Sequence, residues 1–192
     1  MKKMQMLLFG LFAIGLLFCG CQRESKQSLP ANHDPVLTSR PVIPPGACNS
    51  NAYVITLESK TLVGGNWEWV WSVRNPNPGN GLNGTVQDLS HWGMQFGDCF
   101  LWSDVVGAAI SRNGNNWANF TPRYEVDPSQ DCVTTPVLKF DTGTTGSAKT
   151  YYKLILKKDY TTGSSDGYYK SGVRMPCCTF KFQGIGCVQI PT

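Results

Sequence analysis

Histidine is nearly absent from this chain: of its 192 residues only two, His33 and His91, are histidines. Chemistry that needs an imidazole base has almost nothing to choose from. No histidine lies within several residues of a cysteine cluster, and no Cys-x-x-Cys follows residue 21, so the ligand spacing of a zinc site is missing. Neither a metal nor another cofactor is expected. Charge is also scarce, at 16 % of residues, with 17 Lys and Arg against 13 Asp and Glu. There is no Lys/Arg block, basic helix or aromatic-flanked basic stripe, so the electrostatic footprint of nucleic-acid binding is absent. No internal repeat is long enough to build a solenoid. The longest apolar run falls short of the ~20 residues a helix needs to cross a bilayer comfortably.

That run is nonetheless informative. Behind Lys2 and Lys3 lies Leu7-Leu8-Phe9-Gly10-Leu11-Phe12-Ala13-Ile14-Gly15-Leu16-Leu17-Phe18-Cys19-Gly20-Cys21, interrupted by three glycines and flowing directly into polar sequence. It reads as an export signal rather than an anchor. The segment Phe18-Cys19-Gly20-Cys21 resembles the lipobox of bacterial lipoproteins, with Phe18 where leucine is usual. Cys19 is the poorer acceptor, because bulky Phe18 precedes it where a small residue is wanted, whereas Gly20 precedes Cys21. The resemblance implies cleavage after Gly20 and lipidation of Cys21 by a diacylglyceryl group and a further acyl chain such as palmitate. Two or more chains anchor stably where one binds only marginally. The expectation is a signal peptide over 1–20, with the chain held through its lipid to a bacterial envelope membrane, the outer preferred to the inner. The folded part then lies in the periplasm or at the cell surface.

Removing Lys2 and Lys3 with the signal lowers the net charge from +4 to +2. About 170 residues remain, enough for one domain with a proper core. With Cys19 removed and Cys21 acylated, six of the eight cysteines are left: Cys48, Cys99, Cys132, Cys177, Cys178 and Cys187. An even set in an exported chain reads as up to three disulfides, whose connectivity spacing cannot choose. Adjacent Cys177 and Cys178 are not expected to pair, because a vicinal bridge strains the intervening peptide.

Residues 21–47 are polar and studded with Pro30, Pro35, Pro41, Pro44 and Pro45. With no apolar periodicity they form a tether, on the order of 30 Å in coil dimension. His33 lies within it. From Cys48 to residue 192 the pattern is strand-like. Trp67, Trp69, Trp71 and Val73 recur at period two and share one face. Further strands are expected at 53–58, 91–96, 105–111, 117–124, 137–141, 151–157 and 178–183. Residues 104–111 have a short helix as their alternative, but Asn113-Gly114 after them is a hairpin signal that favours strand-turn-strand. Long loops are expected at 75–84, 142–149 and 161–167. The fold class is therefore all-β: a single antiparallel, disulfide-stabilised β-sandwich, immunoglobulin/fibronectin-like or jelly-roll-like.

Catalytic patterns are weak. Gly163-Ser164-Ser165-Asp166-Gly167 has the spacing of a nucleophile elbow but no helix-forming sequence after it, and His91 would be its only base in the folded region. Lys170-Ser171-Gly172 matches one element of penicillin-binding proteins without its companions. The segment from Asp127 to Asp131 lacks the alternating spacing of a calcium loop. The remaining catalytic option is a carboxylate/His hydrolase using Asp98 or Asp104 with His91.

The segment Asp88-Leu89-Ser90-His91-Trp92, taken with the Trp67–Val73 strand before it and Cys99 after it, resembles a β-sandwich module of secreted and surface-anchored bacterial proteins. Those modules carry a Trp-rich strand followed by Leu/Ile-Ser-His-Trp/Phe and a later cysteine. The resemblance implies architecture and extracytoplasmic location, and no activity. Six tryptophans and seven tyrosines exceed what a core of this size absorbs. Trp102, Trp117, Tyr168 and Tyr169, beside turns, are expected to reach solvent and with His91 are the candidate ligand-binding residues, since sugars stack on exposed rings. The expected function is a non-catalytic binding module, with glycan or an envelope or surface protein as partner. A structural envelope component without a specific ligand is the alternative.

Overall fold

The computed structural model describes residue 48 and residues 51–79, 86–172 and 177–187. The leader, the tether, Cys21 and part of the 75–84 loop lie outside the described residues. In chain order the strands are β1 (Val54–Val63), β2 (Asn66–Arg74), β3 (Leu89–Met94), β4 (Val105–Ser111), β5 (Ala118–Phe120), β6 (Tyr124–Glu125), β7 (Val137–Phe140), β8 (Lys149–Leu156), β9 (Thr161–Ser171) and β10 (Cys177–Gly186). One 3₁₀ turn, Trp102–Asp104, precedes β4. The described residues contain no α-helix, and 104–111 is strand.

Period-two alternation organises the first sheet. Trp69, Trp71 and Val73 of β2 are fully buried, and Trp67 at the strand's start is half-buried against them. Each faces an apolar or aromatic partner on the neighbouring strands: Trp69 lies across from Leu154 and Trp71 across from Tyr152 of β8, while Leu57 of β1 flanks Trp71. The sheet runs β1-β2-β8-β4-β5, and a second runs β10-β9-β3-β7-β6, every pair antiparallel. They pack as a β-sandwich. Trp92 on β3 holds the two layers together, stacking on Phe140 at 4.9 Å within its own sheet and meeting Tyr152 of the opposite sheet edge-on at 5.2 Å. The Asn113-Gly114 signal works as read: Gly114 takes φ 77° and β4 pairs with β5.

Two expectations need correction. Residues 161–167, expected as a loop, are the first half of β9, an eleven-residue strand lying between β10 and β3. Their Gly/Ser/Thr composition has the look of a turn, but the glycines serve close approach. A Cβ at Gly163 would come 2.7 Å from the Gly186 Cα, and one at Gly167 would come 2.6 Å from the Phe180 ring. Residues 117–124, expected as one strand, split into β5 at the edge of one sheet and β6 at the edge of the other. Pro122, which has no N–H to give a ladder, lies in the crossing between them.

Three disulfides form, Cys48–Cys178, Cys99–Cys187 and Cys132–Cys177. All three end on β10 or on the residue that follows it. Cys177 and Cys178 bind different partners because consecutive strand side chains point to opposite faces. Cys178 belongs to the core between the sheets, whereas Cys177 joins Val133, Val137 and Tyr168 in a second, smaller apolar cluster. Residues 126–136, the connection from β6 to β7, supply Cys132 and Val133 to that cluster and are pinned there by the Cys132 bridge.

Candidate functional site

The five candidate ligand-binding residues do not converge. Trp102 is half-buried in the 3₁₀ turn and stacks on Tyr124 at 5.4 Å. Trp117, just before β5, is half-buried with the Lys153 ammonium 4.4 Å above its ring. Tyr168 and Tyr169, expected in solvent, are buried at 0 % and 3 % exposure. The expectation failed with the loop assignment: as consecutive residues of a strand they enter opposite faces. Tyr169 packs edge-on to Tyr53 at 4.9 Å in the main core, and Tyr168 sits in the smaller cluster. His91 and Tyr168 lie close, with ring centroids 6.2 Å apart.

The hydrolase arrangement is not assembled either. The charged and polar groups around His91 are Ser90, Gln130, Asp127, Asp141, Lys139 and Lys170, and neither Asp98 nor Asp104 is among them. Asp104 accepts the Tyr160 hydroxyl at 2.7 Å instead. Residues 163–167 lie inside β9, where no strand-to-helix elbow can form.

What surrounds Tyr168 is a polar layer that sequence reasoning missed. Gly93 lies across from Tyr168 in the β3–β9 pair, and any side chain there would strike the tyrosine ring. The Tyr168 hydroxyl donates to Asp127 at 3.2 Å. Asp127, itself 6 % exposed, also accepts from the Ser129 N–H at 3.0 Å, the Ser129 hydroxyl at 2.6 Å and the Lys139 ammonium at 3.2 Å. Lys139 reaches Asp141 at 3.1 Å. Burial works against the Asp127 charge, yet the Ser129 and Lys139 bonds hold its carboxyl below the usual range. Burial likewise opposes the Lys139 charge, and Asp141 and Asp127 keep its ammonium above its ordinary value. Burial and the Asp127 carboxylate push the Tyr168 phenol far up. These groups are fixed as anion, cation and neutral donor. A glycosidase acid needs the opposite, a carboxyl that stays protonated.

Gln130 closes this layer over His91, its amide nitrogen 2.8 Å from Nε2 and 2.9 Å from the Ser129 hydroxyl. Its Oε1 is buried without a partner among the described residues. Burial first, and Lys139 second, lower the His91 pKa below 6.5. The proton therefore binds the unfolded chain more readily than the folded one. Stability is complete above pH ~6.5 and falls as the pH drops from there toward the lower folded value. Asp127 and Glu58, whose pKa values are also lowered, act in a separate window below their ordinary values of 3.8 and 4.5. Guanidinium denaturation at pH 7.5 and 5.5 is expected to show wild type losing stability at the lower pH. His91→Phe should flatten that difference, and an unchanged slope would reject the assignment.

Beside this layer the surface is concave. Phe120, at the end of β5, walls two cavities where the chain leaves one sheet for the other. One, about 640 Å³, is lined by Thr121, Arg123, Glu125, Asp127, Lys139 and Asp141 among others. The other, about 540 Å³, is lined by Ser111, Arg112, Asn113, Asn116, Asn119 and Thr142 among others. Phe120 meets Phe140 edge-on at 5.8 Å, so the ring is fixed from the core side. Among these residues the sequence singled out Asp127 and, as a turn signal, Asn113. The others come from the β4–β5 hairpin, the crossing, β6, and β7 with the two residues after it, and no local pattern links them. No protein-family model matches the chain, and no curated protein sequence matches it significantly.

Proposed function

We propose that this chain is an exported lipoprotein, lipidated at Cys21 and tethered to the envelope, whose folded domain is a non-catalytic binding module. Its ligand is a glycan seated in the groove that Phe120 divides. One observation carries the binding half of this reading: an aromatic ring walls two cavities rimmed by hydroxyl, amide, guanidinium and carboxylate groups. A hydroxyl-rich ligand needs that combination, an apolar surface for its ring faces and planar polar groups for its edges. The fixed charge states of Asp127 and Lys139 suit recognition, since neither has to gain or lose a proton near neutral pH. The anchoring half rests on Lys2, Lys3, the apolar run and Gly20-Cys21.

One preparation tests both halves. Full-length protein from cells fed a palmitate analogue is expected to carry the label, to lose it in Cys21→Ser, and to retain a subset of glycans on an array. A Cys21→Ser chain that still labels overturns the anchor. An array empty at high protein concentration overturns the glycan module.

A further inference from the structure

The two halves of the groove differ in charge. The cavity toward β7 holds three carboxylates, Glu125, Asp127 and Asp141, against two cations, Arg123 and Lys139. Lys139 is held between Asp127 and Asp141, and the exposed Arg123 has the Glu125 carboxylate 4.0 Å away. The cavity toward the β4–β5 hairpin has no carboxylate in its lining and one cation, Arg112, which is exposed. No carboxylate pairs with Arg112 among the described residues. Its neighbours add donors. The Asn113 Oδ1 is consumed by the turn, accepting from the Ser111 hydroxyl at 3.0 Å, the Asn115 N–H at 3.0 Å and the Asn116 N–H at 2.9 Å. The side-chain NH₂ is what Asn113 has to offer a ligand.

The chain also links the halves. Asn119 lines one cavity, Phe120 both and Thr121 the other, and on the far wall Asp141 and Thr142 divide in the same way. A ligand lying across Phe120 therefore meets one half with a carboxylate in excess and one half whose guanidinium has no carboxylate partner among the described residues. Resting on the groove reading above, we infer that the ligand is an acidic saccharide, its carboxylate bound beside Arg112 and its neutral sugar hydroxyls facing Arg123, Glu125 and Asp141. Arg supplies five N–H donors and no acceptor, so a carboxylate satisfies it where a hydroxyl does so only in part.

The test is calorimetric titration of the full-length protein with two probes: a trisaccharide with one terminal uronic acid and two neutral sugars, and its carboxyl-reduced, neutral counterpart. The acidic probe is expected to bind about tenfold more tightly, the effect of one charge-assisted pair. Arg112→Gln, an exposed change, should bring the two probes to equal affinity, and Phe120→Leu should weaken both. Thermal melts of each variant separate loss of binding from loss of fold. Equal affinity of the two probes for wild type overturns the acidic preference and leaves the groove reading in place. Tight acidic binding that survives both variants places the ligand elsewhere and overturns both readings. Failure of the acidic trisaccharide to bind at millimolar concentration overturns the acidic inference, as does selective binding of a peptide through its free C-terminal carboxylate.

Discussion

Trp92→Ala is expected to remove about 3–5 kcal/mol of folding stability, the usual cost of deleting a buried tryptophan and leaving a cavity. The site has little room to collapse. Trp92 is fully buried, stacked on Phe140, edge-on to Tyr152 across the sandwich and edge-on to Phe182 of β10 at 5.7 Å. One ring thus touches β7, β8 and β10 from β3, and both sheets lose a shared neighbour when it goes. Domains of this size are stable by about 5–15 kcal/mol in total, so the variant should be marginal or unfolded at 37 °C. Guanidinium denaturation of Trp92→Ala and the milder Trp92→Phe measures the effect. A loss below about 1 kcal/mol for the alanine variant would show that the layers are held by something other than this ring.

The second large effect is expected from the Cys48–Cys178 bridge, which closes a sequence separation of 130 residues. Replacing both cysteines by serine avoids leaving a free thiol and should cost about 2–5 kcal/mol, read as a lowered denaturation midpoint. The matching Cys99→Ser/Cys187→Ser variant opens a separation of 88 residues. Closure entropy alone separates the two variants by only a few tenths of a kcal/mol, because it grows with the logarithm of loop length. Cys178 is buried in the main core at 3 % exposure, whereas Cys99 is exposed. A Cys48/Cys178 variant clearly less stable than its counterpart therefore reports lost core packing, and a midpoint equal to wild type would reject the stabilising role.

Legibility in the sequence followed the physics of each segment. The 67–74 stretch was readable because its bulky residues recur at period two, with Trp69, Trp71 and Val73 fully buried. β9 was not, since Gly163 and Gly167 are there to let the neighbouring backbone and the Phe180 ring approach, and close approach has no periodic signature. That one misreading displaced Tyr168 and Tyr169 into solvent. The refusal of Cys177 to pair with Cys178 was anticipated from peptide strain, and the alternation of faces along β10 supplies a second cause. The groove stayed invisible for a different reason. Arg112, Phe120, Arg123, Lys139 and Asp141 are brought together by strand order and by the crossing at Pro122, and none stands in a spacing that marks chemistry.

The convergence of three bridges on β10 has a mechanical side. On a membrane tether, drag on the domain would enter the fold at residue 48. Without a bridge that force would reach β1 first, an edge strand held to β2 by a ladder that can open one rung at a time. The Cys48–Cys178 bond gives it a shorter covalent route into β10, and the adjoining Cys132–Cys177 bond passes part of it on to the segment covering the opposite face of that sheet. Pulling then loads β10 and the β6–β7 connection together with β1, so that no single ladder carries the whole force.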